Sequence, residues 1–225
     1  MPRKSDAVDQ ATRERIAQTA LAIIDAEGPG ALSFRTVAAH LGISHATVQR
    51  RCGDTAGLLD LCVDHVAAGL PDIAPGGPWA ESTETRFRGL YEVLIEHTGL
   101  AALRGARPWL GPRILERLSE PQLADNLAAG MTIDEAIVVY RQLYLFTLGA
   151  ANFVDHRDPM TARRRTRTAL AALDPDEFPV LTGHLTTLVN HVVDHEVYYS
   201  GLRSLIASAD PGRAAGRSPG AAAVG

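Results

Sequence analysis

The sequence predicts an all-α protein, with an N-terminal three-helix helix-turn-helix domain and a larger helical C-terminal domain. Apolar residues recur at helical spacing along most of the 225-residue chain. No sustained alternation of β-branched residues indicates a strand, and segments rich in glycine and proline separate the periodic stretches. We place the two domains at residues 1–54 and 55–209, followed by a disordered tail at 210–225.

The N-terminal region contains the signals of three helices joined by short turns. Residues 9–27 form an amphipathic stretch that ends at a Gly-Pro-Gly turn. Ser33 can cap a second helix, whose apolar residues recur at i, i+3, i+4 and i+7 from Phe34. Gly42 permits a sharp turn, and Ser44 can cap a third, short helix. Two short capped helices that meet at a glycine turn indicate a helix-turn-helix.

Helical spacing continues through the rest of the chain. A fourth helix is predicted at residues 55–69, before a break that holds three prolines. The later predicted helices cover residues 82–97, 107–118, 121–129, 132–156, 158–173 and 182–206. Thr132 and Glu135 form a capping box, and Asp158 with Pro159 is a good N-cap and first-turn pair.

The charge of the chain is unevenly distributed. Residues 1–51 hold seven basic and five acidic side chains, a net +2, which leaves −6 for the remainder of a chain with net charge −4. This modestly basic N-terminal segment, which we call the head, is attached to an acidic remainder. Such a distribution suits a DNA-binding domain joined to another domain.

Several classes of protein are excluded by what the sequence lacks. No stretch approaches a membrane span or a secretory signal. Cys52 and Cys62 follow no metal-binding pattern, which indicates two reduced thiols. Because no nucleophile elbow, phosphate loop or dinucleotide motif occurs either, we expect a cytoplasmic protein that is not an enzyme and has no metal or other cofactor.

The third helix carries the residue types that read DNA. Thr47 and Gln49 have donors and acceptors for base edges, and Ala46 suits a thymine methyl group. His45 suits either a base or the backbone, and Arg50 suits phosphate, as do Arg51, Arg35 and Thr36. The pattern alone leaves open a structural helical corner with a solvated polar face.

A group of residues between positions 13 and 59 has a specific spacing. It comprises Arg15, Ile16, Ala20, Leu21, Glu27, Gly28, Ala31, Leu32, Ser33, Phe34, Arg35, Val37, Ala38, Leu41, Gly42, Ile43, Ser44, Val48, Leu58 and Leu59. In this spacing the chain resembles the tetracycline-repressor (TetR) family of bacterial regulators. Segments 146–149, 178–181 and 199–202 are similar to the C-terminal domain of the tetracycline repressors themselves. The resemblance implies an all-helical homodimer whose C-terminal domain binds a small molecule and thereby loosens its grip on DNA.

The chain departs from the family pattern where the family grips DNA. Family recognition helices usually carry aromatic residues at the positions of Gln49 and Cys52, and a lysine at that of Thr55, so Arg50 and Arg51 are expected to take over backbone contacts. The DNA-binding residues that we predict are Arg35, Thr36, Ser44, His45, Ala46, Thr47, Gln49, Arg50, Arg51 and Thr55.

The resemblance also implies a ligand pocket. A magnesium-binding histidine of the tetracycline repressors aligns with Arg104 and a pocket asparagine with Arg86, whereas a glutamine is kept as Gln122. These changes argue against a magnesium–tetracycline ligand. The arginines either favour an acidic or electron-rich molecule or lie solvated on the outside of the fifth helix. The ligand-binding residues that we predict are Arg86, Phe87, Leu90, Arg104, Trp109, Gln122 and Tyr144.

The two longest C-terminal helices indicate a dimer. Each is predicted at about 24 residues, ~36 Å, and one is apolar on most faces. A second copy would cover that surface in a four-helix interface, and a larger intramolecular core is the alternative.

The sequence therefore predicts a ligand-responsive repressor that binds a palindromic DNA operator as a homodimer, with two heads ~34–36 Å apart. A ligand-binding or protein-interaction module that does not read DNA is the alternative. A small helical enzyme that uses a metal at His184, His191 and His195 is a third reading. We expect these histidines to bond instead to backbone or tyrosine.

Overall fold

The computed structural model describes residues 4–104, 111–152, 156 and 158–212, without the side chains of residues 4–12 and 104. All regular elements in these ranges are helical, which confirms the predicted fold class. Trp109 and the tail from residue 213 lie outside the described residues.

The N-terminal helices have the predicted order. They are α1 (Lys4–Glu27), a 3-10 turn (Pro29–Ala31), α2 (Phe34–Leu41), α3 (His45–Cys52) and α4 (Thr55–Ala67). Ser33 and Ser44 cap α2 and α3 as predicted, since each hydroxyl accepts a hydrogen bond from the amide three residues later. Helix α1 begins five residues earlier than its apolar pattern indicated.

The C-terminal part contains more helices than the sequence predicted. They are α5 (Trp79–Glu96), α6 (Thr98–Arg104), α7 (Pro112–Ile114), a π-helical segment (Leu115–Ser119), α8 (Glu120–Ala128), α9 (Ile133–Asn152), α10 (Pro159–Ala171), α11 (Pro179–Gly183), α12 (Leu185–His191) and α13 (His195–Ala209). The capping box of Thr132 and Glu135 and the cap at Asp158 are both present. Helix α6 was missed.

The helix break predicted before Pro121 is wrong. The backbone stays helical from Pro112 to Ala128 and passes through the five-residue π-helical segment just before the proline. Proline has no N–H and its ring collides with the carbonyl four residues earlier in a regular α-helix. The wider π turn accommodates that defect.

The single long helix predicted at 182–206 is also wrong, because it is divided into three. His184 leaves helical geometry between α11 and α12. Asp194 interrupts the next stretch because its carboxylate accepts a hydrogen bond from the Glu196 amide, at 3.0 Å, and so caps α13. A short polar side chain that bonds to nearby amides favours a new helix start over continuation.

The helices divide into two compact units. The first comprises residues 1–75 and 92–124, and the second comprises residues 76–91 and 125–225. Buried aliphatic side chains such as Ile16, Ile24, Val48 and Leu58 fill the first core. The second is centred on buried aromatic and aliphatic residues, namely Phe87, Leu90, Tyr91, Leu143, Tyr198 and Leu202. The first unit thus contains α4 and residues 92–124 together with the head. The predicted boundary at residue 54, between a DNA-binding and a ligand-binding domain, remains a prediction.

No helix within the described ranges is both long enough and apolar enough to cross a membrane.

Candidate nucleic-acid interface

The turn between α2 and α3 is a Schellman motif that depends on Gly42. This glycine is left-handed, with φ 65° and ψ 31°. Its N–H donates to the Ala39 carbonyl, and the Ile43 N–H donates to the Ala38 carbonyl at 3.1 Å. A side chain at this φ would be strained, which explains the glycine. The turn directs the buried Ala38 and Val48 inward and leaves the polar side of α3 outside.

Helix α3 presents the polar face that the sequence predicted. His45, Ala46, Gln49 and Arg50 are exposed, and helical spacing places them on one side. Thr47 is half-buried, and its hydroxyl lies 2.8 Å from the Ser44 hydroxyl. The base contact of Thr47 remains a prediction, and it would require this hydroxyl to share or exchange that bond.

Thr36 has a structural role that sequence reasoning missed. Its hydroxyl accepts a hydrogen bond from the Ser33 amide and donates to the Ala31 carbonyl, both at 2.9 Å. The Thr36 amide in turn donates to the Ser33 hydroxyl at 3.1 Å. The side chain thus completes a capping box at the start of α2. A phosphate contact by Thr36 remains a prediction, but this hydroxyl is already in use.

Three other residues predicted to contact phosphate lie at the start of α2, the end of α3 and the start of α4. Arg35 is exposed on the first turn of α2, and Thr55 is exposed as the first residue of α4. Arg51 is half-buried at the end of α3. The α4 cap is Asp54, whose carboxylate accepts a hydrogen bond from the Gly57 amide at 2.8 Å.

An aromatic contact orients the first residue of α3. The rings of Phe34 and His45 meet edge to face, with centroids 5.8 Å apart and planes at 64°. The His45 imidazole is exposed, but its contact with Phe34 at the start of α2 restricts its orientation.

Gly57 allows α4 to pass close to the end of α3. A Cβ atom at this position would lie 1.9 Å from the Cys52 carbonyl oxygen. Only glycine fits there without a shift of backbone. An isolated glycine inside a helical pattern is the sequence signal that indicates such an approach.

Cys52 and Cys62 are free thiols within the first unit. Burial, with smaller contributions from the neighbouring Cys52 and Asp25, raises the pKa of Cys62 to about 12. Burial also raises the pKa of Cys52, although Arg13 acts in the opposite direction. Both groups are therefore protonated near neutral pH and are poor nucleophiles.

The predicted ligand residues divide between the two units. Arg86, Phe87, Leu90 and Tyr144 are buried in the second unit, and Gln122 is buried in the first. Arg104 lies at the end of α6, and its side chain is outside the described atoms.

Arg86 is buried, so the alternative in which it lies solvated on the outside of α5 is wrong. Its guanidinium donates to the Asp125 carboxylate at 2.8 Å, with only 3% of the arginine side chain exposed. Asp125 was not singled out from the sequence. Its charge offsets that of Arg86, so an acidic ligand would have to compete with a carboxylate already in place.

All five tyrosines of the chain take part in ring contacts in the second unit. Tyr91 and Tyr198 stack with centroids 3.9 Å apart. The Tyr198 hydroxyl donates to the Phe87 carbonyl at 2.9 Å and lies 2.9 Å from the Thr147 hydroxyl. Burial raises the pKa of Tyr91 to about 12 and raises that of Tyr198 further. These phenols are neutral hydrogen-bonding groups that join α5, α9 and α13.

The histidines do not form the metal pair considered from the sequence. Helix α12 ends at His191 and α13 begins at His195, so the two imidazoles do not share one helix face. His191 pairs with Asp194, and His195 bonds to the Tyr91 hydroxyl, each at 2.9 Å. The tyrosine bond confirms the expected role for His195, whereas the expectation is wrong for His191, whose partner is a carboxylate. Among the described residues, no group of three or more His, Cys, Asp or Glu side chains is placed to hold a metal.

Comparisons with known proteins agree with this arrangement. Residues 70–208 match the family described as "Tetracyclin repressor-like, C-terminal domain". The chain is 30% identical over 173 residues to the HTH-type transcriptional repressor DrrR1 of Streptomyces coeruleorubidus, covering 76% of this chain and 63% of that protein. It is 27% identical over 177 residues to an HTH-type transcriptional regulator of Saccharopolyspora erythraea, covering 77% and 74% of the two chains.

Solved structures of a TetR family protein are also similar to this chain. The TetR family protein ActR of Streptomyces coelicolor, without ligand, superposes with a TM-score of 0.72 and 28% identity over 90% of this chain and 97% of ActR. ActR in complex with actinorhodin gives a TM-score of 0.71 and 27% identity over 93% and 98%.

A capped helix-turn-helix followed by a helical C-terminal domain defines the class of one-component helix-turn-helix regulators. Within that class, the chain belongs to the TetR family. The proteins that it matches are transcriptional regulators, not enzymes. The chain spans about 63% of the length of DrrR1.

Proposed function

We propose that this chain is a ligand-responsive transcriptional repressor that binds a palindromic DNA operator as a homodimer and is released by a small molecule. The observation that carries the proposal is the exposed face of α3, formed by His45, Ala46, Gln49 and Arg50. Amide and imidazole groups on a short capped helix suit base edges, and an arginine near its end suits phosphate. The relatives named as a repressor and as a regulator support the same function.

The proposed contacts follow from position on the head. Thr47 and Gln49 read bases, with Ala46 against a thymine methyl and His45 at the edge of the groove. Six residues hold the backbone around them, namely Arg35, Thr36, Ser44, Arg50, Arg51 and Thr55. Because Arg35, Arg50 and Arg51 would each neutralise a phosphate, binding should weaken as salt concentration rises.

An exposed apolar stripe on α9 supports the homodimer. Ile133, Ile137, Val138 and Leu145 are between 44% and 56% exposed, although all are large and apolar. Ile133, Ile137 and Leu145 follow one face at steps of four or eight residues. A two-fold copy that packs along this stripe would remove it from water. Two heads in such a dimer would meet adjacent major grooves when ~34–36 Å apart.

The effector site is proposed around the buried α5 and α9 residues Arg86, Phe87, Leu90 and Tyr144. Arg104, Trp109 and Gln122 remain candidates from the sequence. ActR structures with actinorhodin and with (S)-DNPA support a small organic effector. Binding would favour a conformation whose heads no longer match the operator spacing.

Selection from a random pool of double-stranded DNA tests the function. We expect enrichment of a palindrome with half-site centres about 10 bp apart. Actinorhodin is the first probe for release of the selected fragment. A chain that enriches no sequence at moderate salt is instead a helical ligand-binding or interaction module of the same fold. Gln49 and Cys52, which replace family aromatics, are the observation that favours this second candidate.

A further inference from the structure

Helix α10 carries a concentrated positive charge. Its 13 residues include four arginines and no acidic side chain. The arginines are Arg163, Arg164, Arg165 and Arg167. Arg163 and Arg167 are four residues apart, a spacing at which like charges face each other and repel. A negative group added beside this pair would therefore stabilise the helix.

Thr166 lies between these arginines and has a free hydroxyl. The residue is half-buried, and its hydroxyl makes no hydrogen bond among the described residues. Other helical threonines of the chain donate to the carbonyl four residues earlier, as do Thr85, Thr147 and Thr182. The Thr166 oxygen is therefore available to form a new bond.

Arg163 lies one turn before Thr166, on the same face of α10. It is half-buried, and its Nε atom is buried without a hydrogen-bond partner in the described part of the chain. A buried donor that lacks an acceptor is unfavourable. A phosphate on Thr166 would bring three acceptor oxygens and a negative charge to this face, where they suit a guanidinium.

The residues before Thr166 have the pattern that arginine-directed protein kinases recognise. Arg163 and Arg164 stand three and two residues before the hydroxyl. Carboxylates of such a kinase bind these guanidinium groups through charge-assisted hydrogen bonds, which are strong and directional. Thr168 has an arginine at only the first of these two positions. Thr166 is therefore the better acceptor of the two threonines.

Helix α10 can open locally to admit a kinase. It has no buried residue among those described, and it packs against the short helices α11 and α12. Transfer to Thr166 requires part of the helix to unwind, so that the hydroxyl lies in line with the phosphate of the nucleotide. Local unwinding costs little where few side chains are buried.

We propose that Thr166 is a phosphorylation site for an arginine-directed serine/threonine kinase. The Thr166 hydroxyl oxygen bonds to the γ-phosphorus of ATP, the bond between that phosphorus and the bridging oxygen of ADP breaks, and the hydroxyl proton passes to a carboxylate of the kinase. The phosphate then pairs with Arg163 and lowers the positive charge of α10. The site does not depend on whether the head binds DNA.

Phosphorylation of the full-length chain tests the site. The probe is the catalytic subunit of the cyclic-AMP-dependent protein kinase, an arginine-directed enzyme, with ATP. Tandem mass spectrometry should place one phosphate on Thr166. Thr166→Ser should keep the modification and Thr166→Ala should lose it, whereas Thr168→Ala is the matched control and should be modified as the unmodified chain is. Arg164→Ala should lower the initial rate about tenfold, the ratio that one lost charge-assisted hydrogen bond corresponds to.

Phosphorus NMR of the modified chain tests the role of Arg163. The second pKa of the phosphate is about 6 in a free peptide. In the folded chain it should be about half a pH unit lower than in a phosphorylated peptide of residues 159–171, because a formed helix holds Arg163 beside the phosphate. In Arg163→Gln, modified by longer incubation, the phosphate should have the pKa of the peptide.

Phosphate on Thr168 instead, or on no residue of the full-length chain, would overturn the assignment of Thr166. An equal phosphate pKa in the folded chain and in the peptide would overturn the pairing with Arg163.

Discussion

Gly57 lets α4 lie close to the end of α3 because glycine has no Cβ atom. Its hydrogen faces the Cys52 carbonyl at the end of α3, and its amide is held by the Asp54 cap. Thr36 makes a similar contribution at the start of α2, where its hydroxyl joins Ser33 to Ala31. Neither residue needs to touch DNA in order to determine where the α3 side chains lie.

Gly57→Ala should therefore destabilise the protein. The added Cβ would lie 1.9 Å from a backbone oxygen, and such overpacking costs about 1–3 kcal/mol in unfolding free energy. Urea denaturation followed by circular dichroism measures the loss. Gly149→Ala on α9 is the matched control, because nothing lies within 4 Å of its Cβ position, and it should stabilise by about 0.5–1 kcal/mol. Equal stability of the two variants would contradict the close approach.

Thr36→Val separates capping from DNA contact. Loss of the hydroxyl should lower the unfolding free energy by about 1 kcal/mol, since a capping bond is removed. Operator affinity of the folded variant should change less than that of Arg35→Ala, whose exposed charge is expected to meet phosphate. Denaturation and fluorescence anisotropy provide the two readouts. If Thr36→Val loses affinity without loss of stability, the capping role is wrong and the phosphate role is favoured.

At the scale of elements, local caps begin four of the ten predicted helices. Each of these caps bonds to an amide only three residues later in the chain, so it could be predicted from the sequence alone. The caps are Ser33, Ser44, Asp158 and the Thr132–Glu135 pair. The division of the last helix was less visible. Asp194 stands in an otherwise helical pattern, and only its bonds to Glu196 and His191 show that it begins a new helix.

The capping carboxylates predict that helix stability depends on acid pH. Bonds to the Thr132 amide and hydroxyl lower the pKa of Glu135, the Thr161 amide and hydroxyl lower that of Asp158, and the Glu196 amide and His191 lower that of Asp194. A carboxyl group whose pKa is lower in the folded state stabilises fully above its unfolded value and loses that contribution as pH falls through the folded value.

Helicity should therefore be constant above about pH 5 and should fall below about pH 4, the range of the unfolded pKa values. Circular dichroism at 222 nm during an acid titration measures this loss. In Asp194→Asn part of the acid dependence should disappear, because asparagine caps without titrating. An acid transition identical to that of the unmodified chain would exclude Asp194 as a contributor.

At the scale of the whole molecule, the proposed homodimer depends on the apolar stripe of α9. Ile137→Glu and Leu145→Glu each place a charge on the stripe while leaving the core untouched, since both side chains are about half exposed. Light scattering after size exclusion should give a dimer for the unmodified chain and a monomer for these variants. Leu127→Glu, an equally exposed leucine on α8, should remain dimeric. If all three variants stay dimeric, the interface lies elsewhere.

Contacts between distant segments are what the sequence could not supply. The fold class and the position of the head followed from periodicity and caps, which are local. The pairs Asp64 with Arg113, His97 with Asp25 and Arg86 with Asp125 join residues 39 to 72 positions apart. Their partners are decided by packing and leave no periodic signal. Arg86 was predicted to line a ligand pocket because it aligns with a pocket asparagine of the family, and nothing in the sequence indicated its partner Asp125.

The central claim is that α3 reads DNA, and fluorescence anisotropy with the selected fragment tests it most directly. Arg50→Ala should weaken binding to all sequences and reduce the slope of affinity against salt by about one. Gln49→Ala should change which bases are preferred, with a penalty of about 1–3 kcal/mol for the original sequence. Binding by both variants with the affinity, salt dependence and sequence preference of the unmodified chain would contradict the assignment of α3 as the recognition helix.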